Sequence, residues 1–297
     1  MTSLRIGTRG SNLALTQSSL VADLLRAAHP GLDVELVTIA TAGDRDQSTP
    51  LSSGEGAGWF TTAIQQALAA GEIDIAIHSY KDLPTKRPDG LVIAAVPLRE
   101  DPRDALVSRI PGGLRALPSG AIVGTSSPRR EAQVRELSPG VEVRPIRGNV
   151  ETRIARVDAG DFDAAVLALA GLRRLGLEHR ATHIFGNEEM LPAPAQGALA
   201  VECRSADAPV RSLLEAIDDP LIRSAVTAER GFLAAIDGGC SFPAAAHAEI
   251  FGTTLKLRGL IAADGTLLRS KMAGPIGSAA GLGRALAAEL LALADPR

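Results

Sequence analysis

Apolar and polar positions alternate most clearly over residues 70–84, AGEIDIAIHSYKDLP, where Ile73, Ile75 and Ile77 lie two residues apart. A period of two marks a short buried strand. This one stops at a polar cluster, His78, Ser79, Tyr80, Lys81 and Asp82, closed by Pro84. A carboxylate beside an ammonium just past the carboxyl end of a strand is where open α/β sheets place ligands. Taken alone, the pair also fits a surface ion pair on a loop.

The same patterning predicts a strand over residues 4–7, a turn at Thr8-Arg9-Gly10-Ser11 and a helix to about residue 28, closed by His29-Pro30-Gly31. Ser11 or Asn12 can serve as N-cap, leaving backbone N–H groups and the positive end of the helix dipole above the strand. A second strand over 34–40, a polar Gly-rich stretch over 41–58 and a helix over 59–70 follow, with Gly71 as the left-handed cap. A second pass through this plan begins at Ala121, with a strand over 121–125, a cap at Ser126-Ser127 and Pro128 as the first helical residue. A helix over 129–137, a strand over 141–146, a helix over 147–159 and a strand over 164–169 complete it.

The repeat is visible in the letters. Ala70-Gly71-Glu72-Ile73-Asp74-Ile75-Ala76-Ile77 matches Ala159-Gly160-Asp161-Phe162-Asp163-Ala164-Ala165-Val166, and Gly7-Thr8 matches Gly124-Thr125. Two matches in the same order point to a duplicated βαβαβ unit and hence to two similar α/β domains. These are expected to face each other across a cleft, joined by connectors over 97–102 and 191–197. From residue 218 the pattern changes to a helix over 222–236, Gly238-Gly239-Cys240, strands over 246–251, 255–262 and 266–272 with a turn at Asp264-Gly265, and a terminal Ala/Leu helix from 279. The expected domains are 1–97 with 198–217, 98–197, and a small α+β domain over 218–297.

Composition narrows the class. At 297 residues the chain exceeds one core, and aromatic residues are only 3%, so Ala, Leu, Val and Ile must fill the interiors. A formal charge of -3 argues against general affinity for nucleic acid or anionic membrane, so any basic site must be local. No run approaches the roughly 18 apolar residues of a membrane span, and the N-terminus lacks the apolar region of a signal peptide. These features read as a soluble, cytoplasmic protein. Cys203 and Cys240 suggest no disulfide framework, and no CxxC or Cys/His cluster suggests a metal.

The candidate chemistry lies at strand-to-helix turns. Arg9, Arg129, Arg130, Arg147 and Arg153 all fall there, and Arg129 and Arg130 occupy a first helical turn, against the dipole unless an anion compensates. Solvated arginines account for any one of these singly. With Ser11, Thr125, Ser126 and Ser127 as hydroxyl donors, the set reads as a pocket for several carboxylates or phosphates, which arginine binds as a fork. No GxxxxGK[ST] loop is present, so a polycarboxylate is preferred to a nucleotide. Gly54, Gly56 and Gly58 do not directly follow a strand and read as a lid rather than a dinucleotide loop. Cys240, after two glycines, reads as an exposed loop thiol, and Cys203 as a core residue of a strand. His179 and His183, four residues apart without an acidic partner, read as a solvated helix face.

HSYKDLPT, GTSSPRR, IRGNVETR, LAGLRRLGL, LPAPAQGALAVECR and AERGFLAAIDGGC, in this order and spread over most of the chain, strongly resemble the porphobilinogen deaminase family, also called hydroxymethylbilane synthases. The resemblance implies a monomer with two α/β domains like those of type II periplasmic binding proteins around a cleft, plus a small α+β domain. It implies an enzyme that joins four porphobilinogen molecules head to tail, releasing ammonia each time, into hydroxymethylbilane for haem and other tetrapyrroles. By the same resemblance, Cys240 carries a dipyrromethane cofactor through a thioether and Asp82 is the catalytic aspartate. Lys81, Asp44, Ser11, Thr125, Ser127, Arg129, Arg130 and Gln196 match cofactor-binding positions, and Arg9, Arg147, Arg153 and Phe60 match substrate-binding positions, with Asp44 and Phe60 near the cofactor rings. Many members have Lys where this chain has Ala57, Gly where it has Ala195, and Gln where it has Ser241. A non-catalytic receptor for an organic anion, and a degenerate paralogue that keeps the cofactor without turnover, are the competing readings.

Overall fold

The computed structural model describes residues 3–40, 61–236 and 242–295. In chain order these form β1 (Ser3–Thr8), α1 (Asn12–Ala28), β2 (Asp33–Thr38), α2 (Thr62–Ala69), β3 (Ile75–Ser79), β4 (Leu91–Ala95), β5 (Asp104–Ser108) and β6 (Ile122–Gly124). They continue with α3 (Pro128–Leu137), β7 (Glu142–Arg144), α4 (Val150–Asp158), β8 (Ala164–Ala168), α5 (Leu169–Arg174), β9 (His183–Ile184), β10 (Leu199–Arg204) and α6 (Ala208–Glu215). The last elements are α7 (Pro220–Ile236), β11 (Ala244–Phe251), β12 (Thr254–Ala263), β13 (Thr266–Pro275) and α8 (Ala279–Ala294). The expected lid over 41–58, with Ala57, lies outside the described residues.

The chain forms two compact units. The first comprises Met1–Glu100 with Ala198–Arg223, and the second Asp101–Gly197 with Ser224–Arg297. The first unit holds a five-stranded sheet in the order β2-β1-β3-β10-β4, and the second holds one in the order β7-β6-β8-β5-β9. In each, the first three strands are parallel and the fourth runs antiparallel to its neighbours. The two orders are the same once β1, β2 and β3 are matched with β6, β7 and β8. The fourth strand of each sheet comes from the far side of a connector, β10 after residue 197 and β5 after residue 100. Sequence periodicity alone placed no strand over residues 104–108 or 91–95, because these runs are short and open or close on charged or irregular segments.

The repeat extends to individual contacts. Gly7 pairs with Ala76, and Gly124 with Ala165, at the same place in the two sheets. A Cβ on Gly7 would run into Ile73 Cδ1, and one on Gly124 would lie 3.0 Å from Phe162 Cδ1, so the matched large residues Ile73 and Phe162 fill the space that each glycine leaves. Asp74 and Asp163 are matched as well. The Asp74 carboxylate accepts Arg5 N–H at 2.8 Å, and the Asp163 carboxylate accepts Ile122 N–H at 2.8 Å, pinning the starts of β3 and β8 to the neighbouring strands β1 and β6.

Three sequence expectations change. α4 starts at Val150 rather than 147, because Gly148 takes φ 103° and Asn149 Oδ1 accepts Thr152 N–H at 2.8 Å as the cap. His179 and His183 do not share a helix face: His179 lies in a single 3₁₀ turn, and His183 in β9 lies 3.1 Å from the Glu189 carboxylate. Among the described residues no group of His, Cys, Asp and Glu could hold a metal ion. The stretch 276–294 is long and apolar enough to cross a membrane by length and composition. Its face carrying Leu282, Leu286 and Leu290 is buried in the same core as Leu255 and Leu257 of β12. Cys203 is fully buried in β10, as a core residue should be, and burial pushes its thiol up to about 11, assisted by Asp207.

In the second unit, β11, β12 and β13 form an antiparallel meander against which α7 and α8 pack. The two helices meet through glycines. A Cβ on Gly283 would collide with Ala228 O and lie 2.6 Å from Phe232 N, while one on Gly231 would lie 2.9 Å from Ala280 O. Backbone atoms cannot rotate aside, so Gly283→Ala should overpack this contact and destabilise the protein by about 2 kcal/mol, measurable by denaturant unfolding. Unchanged stability would show that the helices can separate without loss.

Candidate functional site

In the first unit, β1 and β3 are adjacent and parallel, so the turns that follow them lie at the same sheet edge. The turn after β1 carries half-buried Arg9 and Ser11, whose Oγ accepts Ala14 N–H at 3.3 Å and caps α1. Ser79 at the end of β3 receives a 2.9 Å hydrogen bond from Gln17 Nε2 of α1, which fixes the helix start to the strand end. The chain then tightens into a 3₁₀ turn over Tyr80–Asp82. Tyr80 is buried, Lys81 half-buried and Asp82 exposed. Among the described residues the Asp82 carboxylate has no hydrogen-bond or ion-pair partner, so the surface ion pair considered from sequence is absent. Asp74, at the other end of the strand, shows the contrast. Burial alone would raise its pKa, but hydrogen bonds from Arg5 more than reverse this and hold the carboxyl below its ordinary value.

Behind this edge lies a buried polar cluster. Gln65 Nε2 of α2 and His78 Nε2 of β3 lie 3.0 and 3.1 Å from Glu202 Oε2 of β10, and Glu202 has no exposed surface. A buried carboxylate persists only when its oxygens are hydrogen-bonded. The cluster joins α2, β3 and β10.

The second unit builds its edge from the turns after β6 and β7. Ser126 Oγ donates to Ile146 O at 2.9 Å and accepts Ile146 N–H at 3.1 Å, clamping the two turns together. Ser127 Oγ accepts Arg130 N–H at 3.4 Å as the cap of α3, and Thr125 Oγ1 accepts Ser127 N–H at 3.2 Å. Arg147 is half-buried in the second turn, and Arg153 on α4 donates from Nε to Gly148 O at 2.9 Å. The structure thus brings Thr125, Ser127, Arg147 and Arg153 to one sheet edge of this unit, beside the capped starts of two helices, where anions are favoured.

Arg129 and Arg130 differ from the sequence expectation of arginines waiting for an external acid. They are 4% and 6% exposed, and both bind Asp104, which is fully buried at the start of β5. Arg129 Nη1 donates to Asp104 Oδ2 at 2.7 Å and to Leu191 O at 2.8 Å. Arg130 donates to Asp104 Oδ1 from Nη2 at 2.7 Å and from Nε at 3.1 Å, and to Val166 O from Nη1 at 2.9 Å. Gln196 Nε2 adds a third donor to Asp104 Oδ1 at 2.9 Å and also reaches Pro102 O at 2.7 Å. The anion that compensates two arginines at a helix start is therefore an internal carboxylate. Burial would drive the Asp104 pKa up, but the charges of Arg129 and Arg130 and the hydrogen bonds from Arg129 and Gln196 overcome it and hold the carboxyl far below its ordinary range. Burial lowers the Arg129 pKa, with Asp104 opposing.

Arg129 has donor capacity left. Its Nε is buried and has no hydrogen-bond partner among the described residues. A buried guanidinium N–H without a partner is suited to a further acidic oxygen. Cys240, Asp44 and Phe60 lie outside the described residues. Sequence reasoning missed Asp104, Glu202 and Glu229, all without exposed surface. The signal available was an acidic residue within or opening an apolar run, as in Asp104-Ala105-Leu106-Val107, which demands a buried partner.

The fold and these edges define an α/β protein with two duplicated sheets, each presenting polar turns at the carboxyl ends of its parallel strands. Comparison with known proteins narrows this class. Residues 4–212 match the family model described as porphobilinogen deaminase, dipyromethane cofactor binding domain, and residues 224–292 match porphobilinogen deaminase, C-terminal domain. The porphobilinogen deaminases of Mycobacterium tuberculosis and Mycobacterium marinum are each 50% identical to this chain over 301 residues, covering 98% of it and 96% and 95% of their own lengths. The chain belongs to the porphobilinogen deaminase family, transferases of tetrapyrrole biosynthesis with a dipyrromethane cofactor. Among solved structures, the periplasmic domain of Bordetella pertussis BvgS aligns with TM-score 0.42 and 14% identity over 73% of this chain, which spans 40% of that chain. An ancestral arginine-binding protein bound to arginine aligns with TM-score 0.41 and 16% identity, over 73% of this chain and 91% of that one.

Removing the Asp104 charge strands two buried guanidiniums. Asp104→Asn should cost about 3–5 kcal/mol of unfolding free energy near neutral pH. The folded-state pKa of Asp104 is depressed, so its contribution is fully present above the unfolded value of about 3.9 and is lost as pH falls through the folded value. The stability difference between parent and variant should be flat above about pH 5 and shrink as acid protonates Asp104 in the parent. Denaturant unfolding across this range tests it, and a difference independent of pH down to acid unfolding would assign the loss to packing instead.

Proposed function

We propose that this chain condenses four porphobilinogen molecules head to tail into hydroxymethylbilane, with release of one ammonia for each, on a dipyrromethane primer attached to Cys240 through a thioether. The observation that carries this reading is the match of residues 4–212 to the cofactor-binding domain of the family. When bound, the dipyrromethane supplies a covalently held pyrrole with an open α-carbon from which the chain grows.

Asp82 is assigned the central role. Loss of ammonia from porphobilinogen leaves a cationic azafulvene, and a fixed carboxylate stabilises that cation and accepts hydrogen bonds from pyrrole N–H groups. The new carbon–carbon bond then requires loss of a proton from the pyrrole α-carbon, and a carboxylate within reach can receive it. The exposed position of Asp82 on a short rigid turn, held from below by Tyr80 and by the Gln17–Ser79 contact, supports this assignment. A carboxylate already committed to an arginine, as Asp74 is, could not alternate between these tasks.

Each pyrrole carries an acetate and a propionate, so the growing product accumulates carboxylates. Arg9, Arg147 and Arg153 are proposed to bind those of the substrate, with Phe60 against a ring. Lys81, Asp44, Ser11, Thr125, Ser127, Arg129, Arg130 and Gln196 are proposed to hold the cofactor. For Arg129 this means its Nε and Nη2 donors, because Nη1 serves Asp104 and Leu191. Arg130 is proposed to act mainly by fixing Asp104. The proposed division into 1–97 with 198–217, 98–197 and 218–297 assigns Asp82 with Arg9, the other arginines, and the cofactor cysteine to separate parts. A cytoplasmic monomer without nucleic-acid or membrane partners completes the proposal.

Intact mass of freshly purified, denatured protein should exceed the chain mass by one dipyrromethane, and the increment should vanish in Cys240→Ser. An unmodified parent chain would remove the cofactor assignment. Asp82→Asn should fold normally, carry the cofactor and lose at least about a hundredfold in turnover of porphobilinogen. Near-parental turnover would take Asp82 out of the mechanism.

A further inference from the structure

The turn that delivers Gln196 to Asp104 is strained. Ala195 is the residue before Gln196 and has φ 64°, a left-handed conformation that L side chains disfavour, and it is fully buried. Gly197, two residues on, is also left-handed, at φ 86°, but a glycine adopts this without penalty. Gln196 N–H donates to Ala193 O at 2.9 Å, which closes the turn. Something must hold Ala195 where it is.

That support comes from α7. Glu229 has no exposed surface, and its Oε2 accepts Ala195 N–H at 2.6 Å while its Oε1 accepts Ala248 N–H of β11 at 2.8 Å. His247 Nδ1 lies 3.5 Å from the same carboxylate. One side chain therefore ties the helix that leads towards Cys240 to the meander and to the turn carrying Gln196. From Gln196 the contacts continue to Asp104, and from Asp104 to Arg129 and Arg130.

We propose that Glu229 is a positioning residue for the acid-binding cluster: by accepting the Ala195 N–H it keeps a left-handed alanine in place and so holds Gln196 on Asp104. The proposal rests on the reading that Arg129, held by Asp104 and Gln196, serves a carboxylate of the cofactor. In Glu229→Gln one oxygen still accepts, but the amide nitrogen turns donors towards the second backbone N–H. The strained turn is the partner that gives way, because Ala248 is held in a strand ladder. Gln196 then leaves Asp104, and the guanidiniums lose their fixed orientation. Ala195→Gly removes the strain at its source, so the turn no longer depends on Glu229.

The test compares full-length parent, Glu229→Gln, Ala195→Gly and the double variant. Glu229→Gln should lower the thermal midpoint, reduce the fraction of fresh chains carrying the dipyrromethane mass and raise KM for porphobilinogen about tenfold with a smaller change in kcat. Ala195→Gly alone should stay close to the parent, and the double variant should recover most of the cofactor load and KM. Equal losses from Glu229→Gln in both backgrounds would make Glu229 a core acceptor only and overturn the proposal, as would an unchanged KM and cofactor load in the single variant. Should the parent itself form no hydroxymethylbilane, the functional reading fails on that measurement. The turn is then judged by the thermal midpoints, where additive shifts overturn the proposal and non-additive shifts support it.

Discussion

A carboxylate with no access to water sets the geometry of the second unit. Asp104 opens β5 inside the sheet, where an isolated charge would be prohibitive, and it is tolerated because two guanidiniums and an amide converge on its oxygens. Each partner is thereby fixed. The arginines at the start of α3 cannot swing into solvent, and Gln196 cannot leave without uncovering an oxygen. Hydrogen bonds to Leu191 O and Val166 O extend the constraint to a connector and to β8. A buried pair of this kind contributes little net stability over an apolar replacement, yet breaking it is severe, so its effect is to select one arrangement.

The first unit solves a similar problem with weaker charges. Glu202, also without exposure, is satisfied by an amide and an imidazole rather than by guanidiniums. Each sheet takes its antiparallel fourth strand from beyond a connector, and each of those strands carries a buried acid. The duplicated aspartates Asp74 and Asp163 instead lie at the amino ends of β3 and β8, where they pin strand starts by accepting backbone N–H groups. Structural carboxylates are therefore spent on arginines, amides and backbone. Asp82 is exposed, and the described residues offer its carboxylate none of these.

Much of this was legible in the chain. Gly7 against Gly124 and Ile73 against Phe162 showed the duplication, because a glycine that must accommodate a neighbouring large residue leaves a mark at both ends of the contact. Ser11, Ser127 and Pro128 marked two helix starts, since capping is local chemistry confined to a few residues. The boundary of α4 was misplaced because Gly148 and Asn149 end a turn, a competition that the apolar pattern of the helix does not register. His179 and His183 were assigned a shared face by spacing alone, and Gly176 and a 3₁₀ turn removed the helix that would have made the spacing meaningful.

The sequence by itself determined the local elements, the repeat, the turns that present Asp82 and the arginines, and the family to which the motifs belong. Tertiary structure alone decided what those arginines bind. Arg129 and Arg130 precede Gln196 by more than sixty residues and follow Asp104 by twenty-five and twenty-six, and no periodicity links positions so far apart. Their meeting depends on β5 entering the sheet antiparallel beside β8 and on a turn at Ala195 held from α7. Pairing a buried charge is a long-range condition. A sequence can show that it must be met, but only the packed chain shows by which residue.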